Sequence, residues 1–364
     1  MTGEQRMSQQ QYPCAGCGAG VEFAPGTTVL RCPYCGHETA LVPTGRPVRE
    51  HAYAEFVSLP RKPVASLGAH VFTCQKCGAQ TETEAISDRC QFCGAAMVAD
   101  VAATGQVVPE AVLPFVVDRA GVRQALRGWV ASRWFAPSGL KRVTEAESAA
   151  STYLPHWTYD ARTVSRYRGQ RGEHYWVTES YTETVNGQSQ TRTRQVRRTR
   201  WHAASGTVER DFDDILVAAT GHVSGEHLDE LAPWPLADAD GYRPEYLAGH
   251  QSLRYDVEPE AGFATAKSRM APVIERDCRR DIGGDEQRVE SVETDYRDVG
   301  FKLMLLPVWI ACYLYAGRTY NVLVNGRTAE VAGERPYSKV KIASAVLAAV
   351  LVVAAVVLLF SVNR

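Results

Sequence analysis

Four copies of one short pattern constrain the N-terminal quarter of this chain: Cys14-Ala15-Gly16-Cys17-Gly18, Cys32-Pro33-Tyr34-Cys35-Gly36, Cys74-Gln75-Lys76-Cys77-Gly78 and Cys90-Gln91-Phe92-Cys93-Gly94. Two residues between cysteines let both sulfurs face one point. The glycine after the second cysteine permits the left-handed backbone that ends such a turn. Two knuckles together offer four thiolates, the donor set of a closed tetrahedral zinc site. Fourteen residues separate Cys17 from Cys32 and twelve separate Cys77 from Cys90, which pairs the knuckles into two consecutive zinc ribbons. A single Cys-x-x-Cys would suit a disulfide framework or a redox pair equally well; four in tandem favour metal. The expected cofactors are therefore two structural Zn2+ ions, one on Cys14, Cys17, Cys32 and Cys35, the other on Cys74, Cys77, Cys90 and Cys93. Closed four-thiolate sites leave no position for a substrate, so these zincs should not catalyse.

The expected fold class is α+β: two small zinc ribbons, a mixed β-rich domain, and one C-terminal transmembrane helix. Residues 1–11 are polar and Gln-rich and should be disordered, with no secretory signal. Ribbon one occupies 12–41, with Val21-Glu22-Phe23 and Thr28-Val29-Leu30 as short strands about a Pro25-Gly26 turn. A connector over 42–69 holds a short helix, Glu50 to Leu59, and ribbon two covers 70–98. The α+β domain runs from 109 to 335. It opens with a buried-strand candidate, Val112 to Val117, and a helix from Arg119 capped by Asp118. A later helix opens at Glu258-Pro259-Glu260, should kink or split at Pro272, and stops at Gly283-Gly284. Residues 342–362 are 21 in number and carry no charge, long enough for a membrane span. Arg335, Lys339 and Lys341 precede them, which places the N-terminal bulk in the cytoplasm and the chain in a bacterial inner membrane as a tail-anchored, single-pass protein. Reduced cysteines agree with that compartment. Cys278 and Cys312 stand alone and should be buried free thiols.

Two patterns organise the domain. Leu154-Pro155-His156-Trp157 and Leu306-Pro307-Val308-Trp309 share Leu-Pro-x-Trp and both lead into aromatic-rich runs, so they should be equivalent strands of one sheet or of two related units. Asn186-Gly187 is the preferred pair for a two-residue type I′ turn. It fixes a projecting hairpin over 174–201 in which partners sum to 373. Glu179 then faces Arg194, Tyr181 faces Arg192, Tyr175 faces Arg198 and Glu173 faces Arg200. A second hairpin is expected at Asn325-Gly326. Two readings of Arg192, Arg194, Arg197, Arg198 and Arg200 stand side by side: a phosphate-binding ribbon with stacking aromatics, and a solvated hairpin held by cross-strand pairs.

Catalytic motifs are not evident. The chain has no Gly-Lys dipeptide and so no P-loop, and it has no H-E-x-x-H, G-x-S-x-G or dinucleotide fingerprint. His222 and His227 lie too far apart for a metal pair, and Asp211, Asp213 and Asp214 read as a solvated strand entry. The formal net charge of −1 gives no global attraction for nucleic acid.

Taken together, the Cys-x-x-Cys-Gly ribbons, Val112-Leu113-Pro114-Phe115, Trp134-Phe135-Ala136-Pro137, the two Leu-Pro-x-Trp motifs, Asn325-Gly326 and the apolar terminus resemble a bacterial family of membrane-anchored proteins with tandem TFIIB-type zinc ribbons. The ribbons of that family also resemble those of primosomal replication-restart helicases, whose motor has no counterpart here. The resemblance implies zinc on the eight cysteines and no activity. The expectation is a non-enzymatic adaptor presenting its ribbons as a recognition head to a cytosolic protein or assembly. The second expectation is a nucleic-acid-binding protein using the ribbons and the arginine hairpin. No small-molecule substrate is expected, and the outlying reading is an enzyme with a site in the α+β domain.

Overall fold

In the computed structural model, the described residues are 9–10, 12–42, 47–59, 70–73, 80–83, 85–89, 96–99, 107–132, 149–185, 188–315, 318–334 and 339–362. Among the described residues strands account for 46% and helices for 26%, so the structure is mostly β, which corrects the α+β expectation. Its N-terminal part is a series of short strands: β1 (Gln9–Gln10), β2 (Glu22–Phe23), β3 (Val29–Arg31), β4 (Glu38–Ala40) and β5 (His51–Ala52). Helix α1 (Tyr53–Ser58) follows, then β6 (His70–Thr73), β7 (Gln80–Thr83), β8 (Ser87–Arg89) and β9 (Ala96–Ala99). Within the leader expected to be unstructured, β1 pairs with β9. Strands β2, β3 and β4 form the three-stranded sheet of ribbon one, turned at Gly26 with φ 75°. Hairpins β6–β7 and β8–β9 flank the second pair of knuckles.

The body contains β10 (Ala111–Val112), α2 (Arg119–Ala131), β11 (Ala150–Val185), β12 (Gln188–Ala218), α3 (Gly225–Glu230), β13 (Asp240–Gly241) and β14 (Gln251–Ser252). It continues with α4 (Pro259–Ile282), β15 (Glu286–Tyr315), β16 (Arg318–Asn325) and β17 (Val331–Gly333). The strand expected over 112–117 is confined to β10. The helix expected to kink or split at Pro272 is one helix from Pro259 to Ile282, with Pro272 on its exposed side. The two-residue turn expected at Asn325-Gly326 is instead a longer loop, because the Asn325 side chain accepts from the N–H groups of Arg327 and Thr328. Gly326 is needed there for another reason: a Cβ would lie 2.6 Å from the Phe115 ring.

The long strands β11 and β15 pair antiparallel at the centre, and the Leu-Pro-x-Trp motifs meet there. Leu154 pairs with Leu306, Pro155 with Leu305 and Tyr153 with Pro307. The surroundings repeat about that point. β10 runs parallel to β15 at Ala111–Met304, and β14 runs parallel to β11 at Gln251–Thr152. Trp309 Nε1 donates to Val117 O at 2.9 Å, and Trp157 Nε1 donates to Val257 O at 2.8 Å. Phe115 sits edge-on to Trp309 as Tyr255 does to Trp157. The body is thus two β-α-β-β units, 111–218 and 251–325, related by an approximate two-fold axis. The prolines fit centrally because each lies where the outer strand ends: Ala219 N donates to Pro155 O, and Gly326 N to Pro307 O. Their missing N–H groups therefore leave no gap in a ladder.

Helix α4 packs Phe263, Ala266, Met270, Ile274, Cys278 and Ile282 onto one face of the sheet. Cys278 is buried, as expected, while the side chain of Cys312 lies outside the described residues. The chain ends in helix α5 (Lys339–Val362). Among the described residues no helix is long and apolar enough to cross a membrane. This overturns the expected span over 342–362, and with it the single-pass, tail-anchored, inner-membrane placement.

Candidate metal centre and interaction arm

Each knuckle of ribbon one is a tight turn closed by its own backbone. Gly18 N donates to Cys14 O at 2.9 Å and Gly36 N to Cys32 O at 3.0 Å, with Gly18 at φ 72° and Gly36 at φ 74°. These are the left-handed positions that the motif requires. The four sulfurs of Cys14, Cys17, Cys32 and Cys35 lie within 4.8 Å of one another, with Cys14–Cys35 at 3.5 Å and Cys17–Cys32 at 3.6 Å. A tetrahedron with Zn–S of about 2.3 Å has edges near 3.8 Å, so the set fits a tetrahedral ion. The sulfur chemistry agrees. Backbone N–H groups of Cys35 and Tyr34 hold the Cys32 thiol at about 6. Cys35, although the His37 N–H favours its thiolate, is pushed up to about 12 by the neighbouring sulfurs of Cys14 and Cys17. Four thiolates cannot all ionise side by side without a cation; a divalent metal would take the place of the protons. Cys74, Cys77, Cys90 and Cys93 lie outside the described residues.

The ribbon does not stand apart as a head. Cys14, Val21, Phe23, Leu30, Cys32 and Leu41 belong to the same buried cluster as Phe115, Tyr153 and Trp309 of the body. Phe23 N donates to Ala248 O at 2.8 Å, and Gly26 N to Phe115 O at 2.8 Å. The Phe23 ring packs edge-on against Tyr246 at 5.1 Å. His250, stacked on Phe115 at 4.6 Å, is kept neutral by burial, its pKa pushed down to about 4. Glu22 pairs with Arg89 at 2.8 Å, and Gly249 must be glycine because a Cβ would meet Glu22 at 2.6 Å.

The second feature is the arm. β11 and β12 pair from His156–Ala218 to Val185–Gln188, in the expected register: Glu179–Arg194, Tyr181–Arg192, Tyr175–Arg198 and Glu173–Arg200. β15 supports them only as far as Gly172–Glu286. Beyond that, thirteen residues of each strand form a two-stranded projection of about 43 Å. Arg194 and Arg198 both reach Glu179, and Arg192 reaches Glu183 at 3.2 Å. Arg200 lies over the Tyr175 ring at 4.9 Å. Among the described residues, Arg197 and Arg200 have no carboxylate within ion-pair distance. Trp176, opposite Arg197, is 66% exposed, and Tyr175 and Tyr181 also face solvent.

A third site gives no sequence signal. Deeper in the sheet, β12 is bulged where Asp213 and Asp214 oppose Asp160, and β15 where Asp298 and Val299 oppose Ala161, with Asp214 and Asp298 at φ 51° and 49°. Lys302, its side chain 9% exposed, donates to Glu50 at 2.7 Å and Asp214 at 2.6 Å. Asp214 N donates to Asp160 Oδ1 at 2.7 Å. Burial, followed by the neighbouring Glu50 carboxyl, pushes Asp160 up to about 7, while hydrogen bonding from Asp160 and Lys302 holds Glu50 below its usual range. The cluster clamps the connector to the sheet with one amine and one shared proton. Asp214 is thus part of a half-buried clamp on the buried Lys302, not the solvated strand entry expected. His222 is at the surface beside Asp256 at 3.3 Å.

No protein-family profile and no solved structure matches the chain. It is 25% identical over 337 residues, 92% of each chain, to the uncharacterized protein YdjG of Bacillus subtilis (strain 168).

Proposed function

We propose that this chain is a non-enzymatic interaction scaffold whose arm binds a protein partner through its aromatic side chains. In this reading zinc on Cys14, Cys17, Cys32 and Cys35 shapes the docked ribbon. A second zinc on Cys74, Cys77, Cys90 and Cys93 does the same for ribbon two. The observation that carries the reading is the exposure of Trp176 on a strand pair that leaves the body altogether. A tryptophan held in a stiff ladder brings large contact area at little entropic cost, and such residues dominate protein interfaces. The arginines around it favour a protein over a phosphate backbone: three of the five already face Glu179 or Glu183. The buried Lys302 cluster is compensated internally, which supports a structural role over catalysis.

The test is a photo-crosslinking residue at position 176, compared with one at Gln251 on the body. Discrete protein adducts from position 176, lost on adding excess unlabelled wild type but not excess W176A, are expected. In parallel, fluorescence anisotropy with single-stranded oligonucleotides at about 50 mM salt should show no binding. Salt-dependent oligonucleotide binding without protein adducts would replace this reading with the nucleic-acid one.

A further inference from the structure

The sheet has two long edges of opposite charge, one on the arm and one on the body. On β12, residues 188–208 contain five arginines and no acid. On β15, residues 286–298 contain Glu286, Glu290, Glu293, Asp295 and Asp298 against Arg288 and Arg297. Both edges are open among the described residues: β12 pairs only with β11, and β15 acquires an outer neighbour only at Gly300, where β5 joins it. The projecting part of the β12 edge is long enough to span the whole free edge of β15. The projecting part of β12, 188–200, and the free edge of β15, 286–298, are each thirteen residues, or about 43 Å. Uncompensated charge lies on both: Arg197 and Arg200 on one, Glu293 and Asp298 on the other, none within ion-pair distance of a described partner.

The β15 edge is more than a row of backbone groups. A groove of about 720 Å3 separates it from α4, lined by Pro272, Glu275, Val289, Glu290, Val292 and Tyr296. An incoming strand would place alternate side chains in this groove, with carboxylates at its rim. β5 already shows that the edge accepts an antiparallel strand, through His51–Phe301 and Ala52–Gly300.

From these complementary edges we infer that the β12 edge of one copy of this chain docks on the β15 edge of a second copy, extending the sheet from molecule to molecule. The contact joins two different surfaces, so it is heterologous and runs head to tail, as a closed ring or an open chain according to the rotation between copies. It goes beyond the partner proposed above, because it uses the strand edge of the arm and not Trp176, which lies on β11. Attraction between exposed charges makes it salt-sensitive.

The experiment is sedimentation velocity of the full chain, with non-ionic detergent to mask the exposed apolar residues of α5. Wild type should form reversible assemblies larger than dimers at about 50 mM salt and become monomeric near 500 mM. R194E/R197E reverses the arm, and E290R/E293R reverses the edge. Each alone should weaken association by tenfold or more, since like charges then face each other. An equimolar mixture of the two should reassemble, and so should one chain carrying all four substitutions; this rescue separates lost complementarity from lost folding. W176A should associate like wild type, so failure here and failure of the aromatic partner reading are separable. A monomeric wild type at low salt, an R194E/R197E variant that still associates, or a mixture that stays monomeric would each overturn the inference.

Discussion

Phe23→Ala tests whether the ribbon is part of the body or an appendage. Phe23 is 2% exposed and lies between the ribbon sheet and the segment carrying Tyr246 and His250. Its truncation removes the aromatic contact at 5.1 Å and leaves a cavity between two elements that the backbone bond to Ala248 prevents from collapsing. Buried Phe→Ala changes cost about 3–5 kcal/mol, and this site, fixed on both sides, belongs in the middle of that range, near 4 kcal/mol. Phe23 supplies no metal ligand, and the four thiolates sit on turns closed by their own backbone bonds, so zinc content should not change. The assay is urea unfolding followed by tryptophan fluorescence, with zinc released by a thiol reagent measured on the same samples. The signal is well placed, because Trp309 and Trp157 lie in the body. A midpoint shift equivalent to less than about 1 kcal/mol would show that the ribbon folds independently and that the packing does not couple. Loss of zinc along with stability would show that docking, and not the thiolate set alone, holds the ion.

Two further outcomes are expected. Purified protein should contain two equivalents of zinc, and Cys14→Ser with Cys32→Ser should lose one, read by elemental analysis; retention of both would show that other residues bind the metal. Asp160 titrates near 7 in the fold against about 4 when unfolded, so its contribution to stability is full below about pH 4 and is lost as pH rises to about 7; Asp160→Asn, which mimics the protonated carboxyl, should flatten the decline in unfolding midpoint between pH 5 and pH 8, and an unchanged slope would assign it to other groups.

Local chemistry was legible in the sequence wherever neighbouring residues determined it. Gly18 and Gly36 adopt the left-handed turns that Cys-x-x-Cys-Gly demands, and the Asn186-Gly187 signal fixed the pairing of Glu179 with Arg194 correctly. The paired Leu-Pro-x-Trp motifs placed two equivalent strands in one sheet. Features made by residues far apart in the chain were hidden. Phe23 reads as the small core of an isolated ribbon, yet its carbonyl and amide face His250 and Ala248, more than 220 positions away. Lys302 sits in a run that reads as a central apolar strand, and nothing in that run reveals Glu50 or Asp214. The apolar terminus illustrates the converse: hydropathy alone predicted a span over 342–362 that no described helix provides.

The two-fold arrangement of the body bears on where binding should lie. In duplicated units, features that superpose under the axis serve the shared core: the Trp–carbonyl bonds to Val117 and Val257, the prolines at strand ends, and the parallel strands β10 and β14. Features without a counterpart are free of that constraint. β12 extends to 31 residues where its equivalent β16 has 8, and β16 is covered by β17 while the outer edge of β12 is open. The basic residues lie on this extension of β12, and the acidic residues lie on the edge of β15, on the other side of β11. An arm serving only to stabilise the body would bury its aromatics against it; Trp176, Tyr175 and Tyr181 instead lie past the point where β15 ends. On the proposed reading recognition belongs to the arm, and the ribbon, packed into the same buried cluster as Phe115 and Trp309, stiffens the core from which the arm projects.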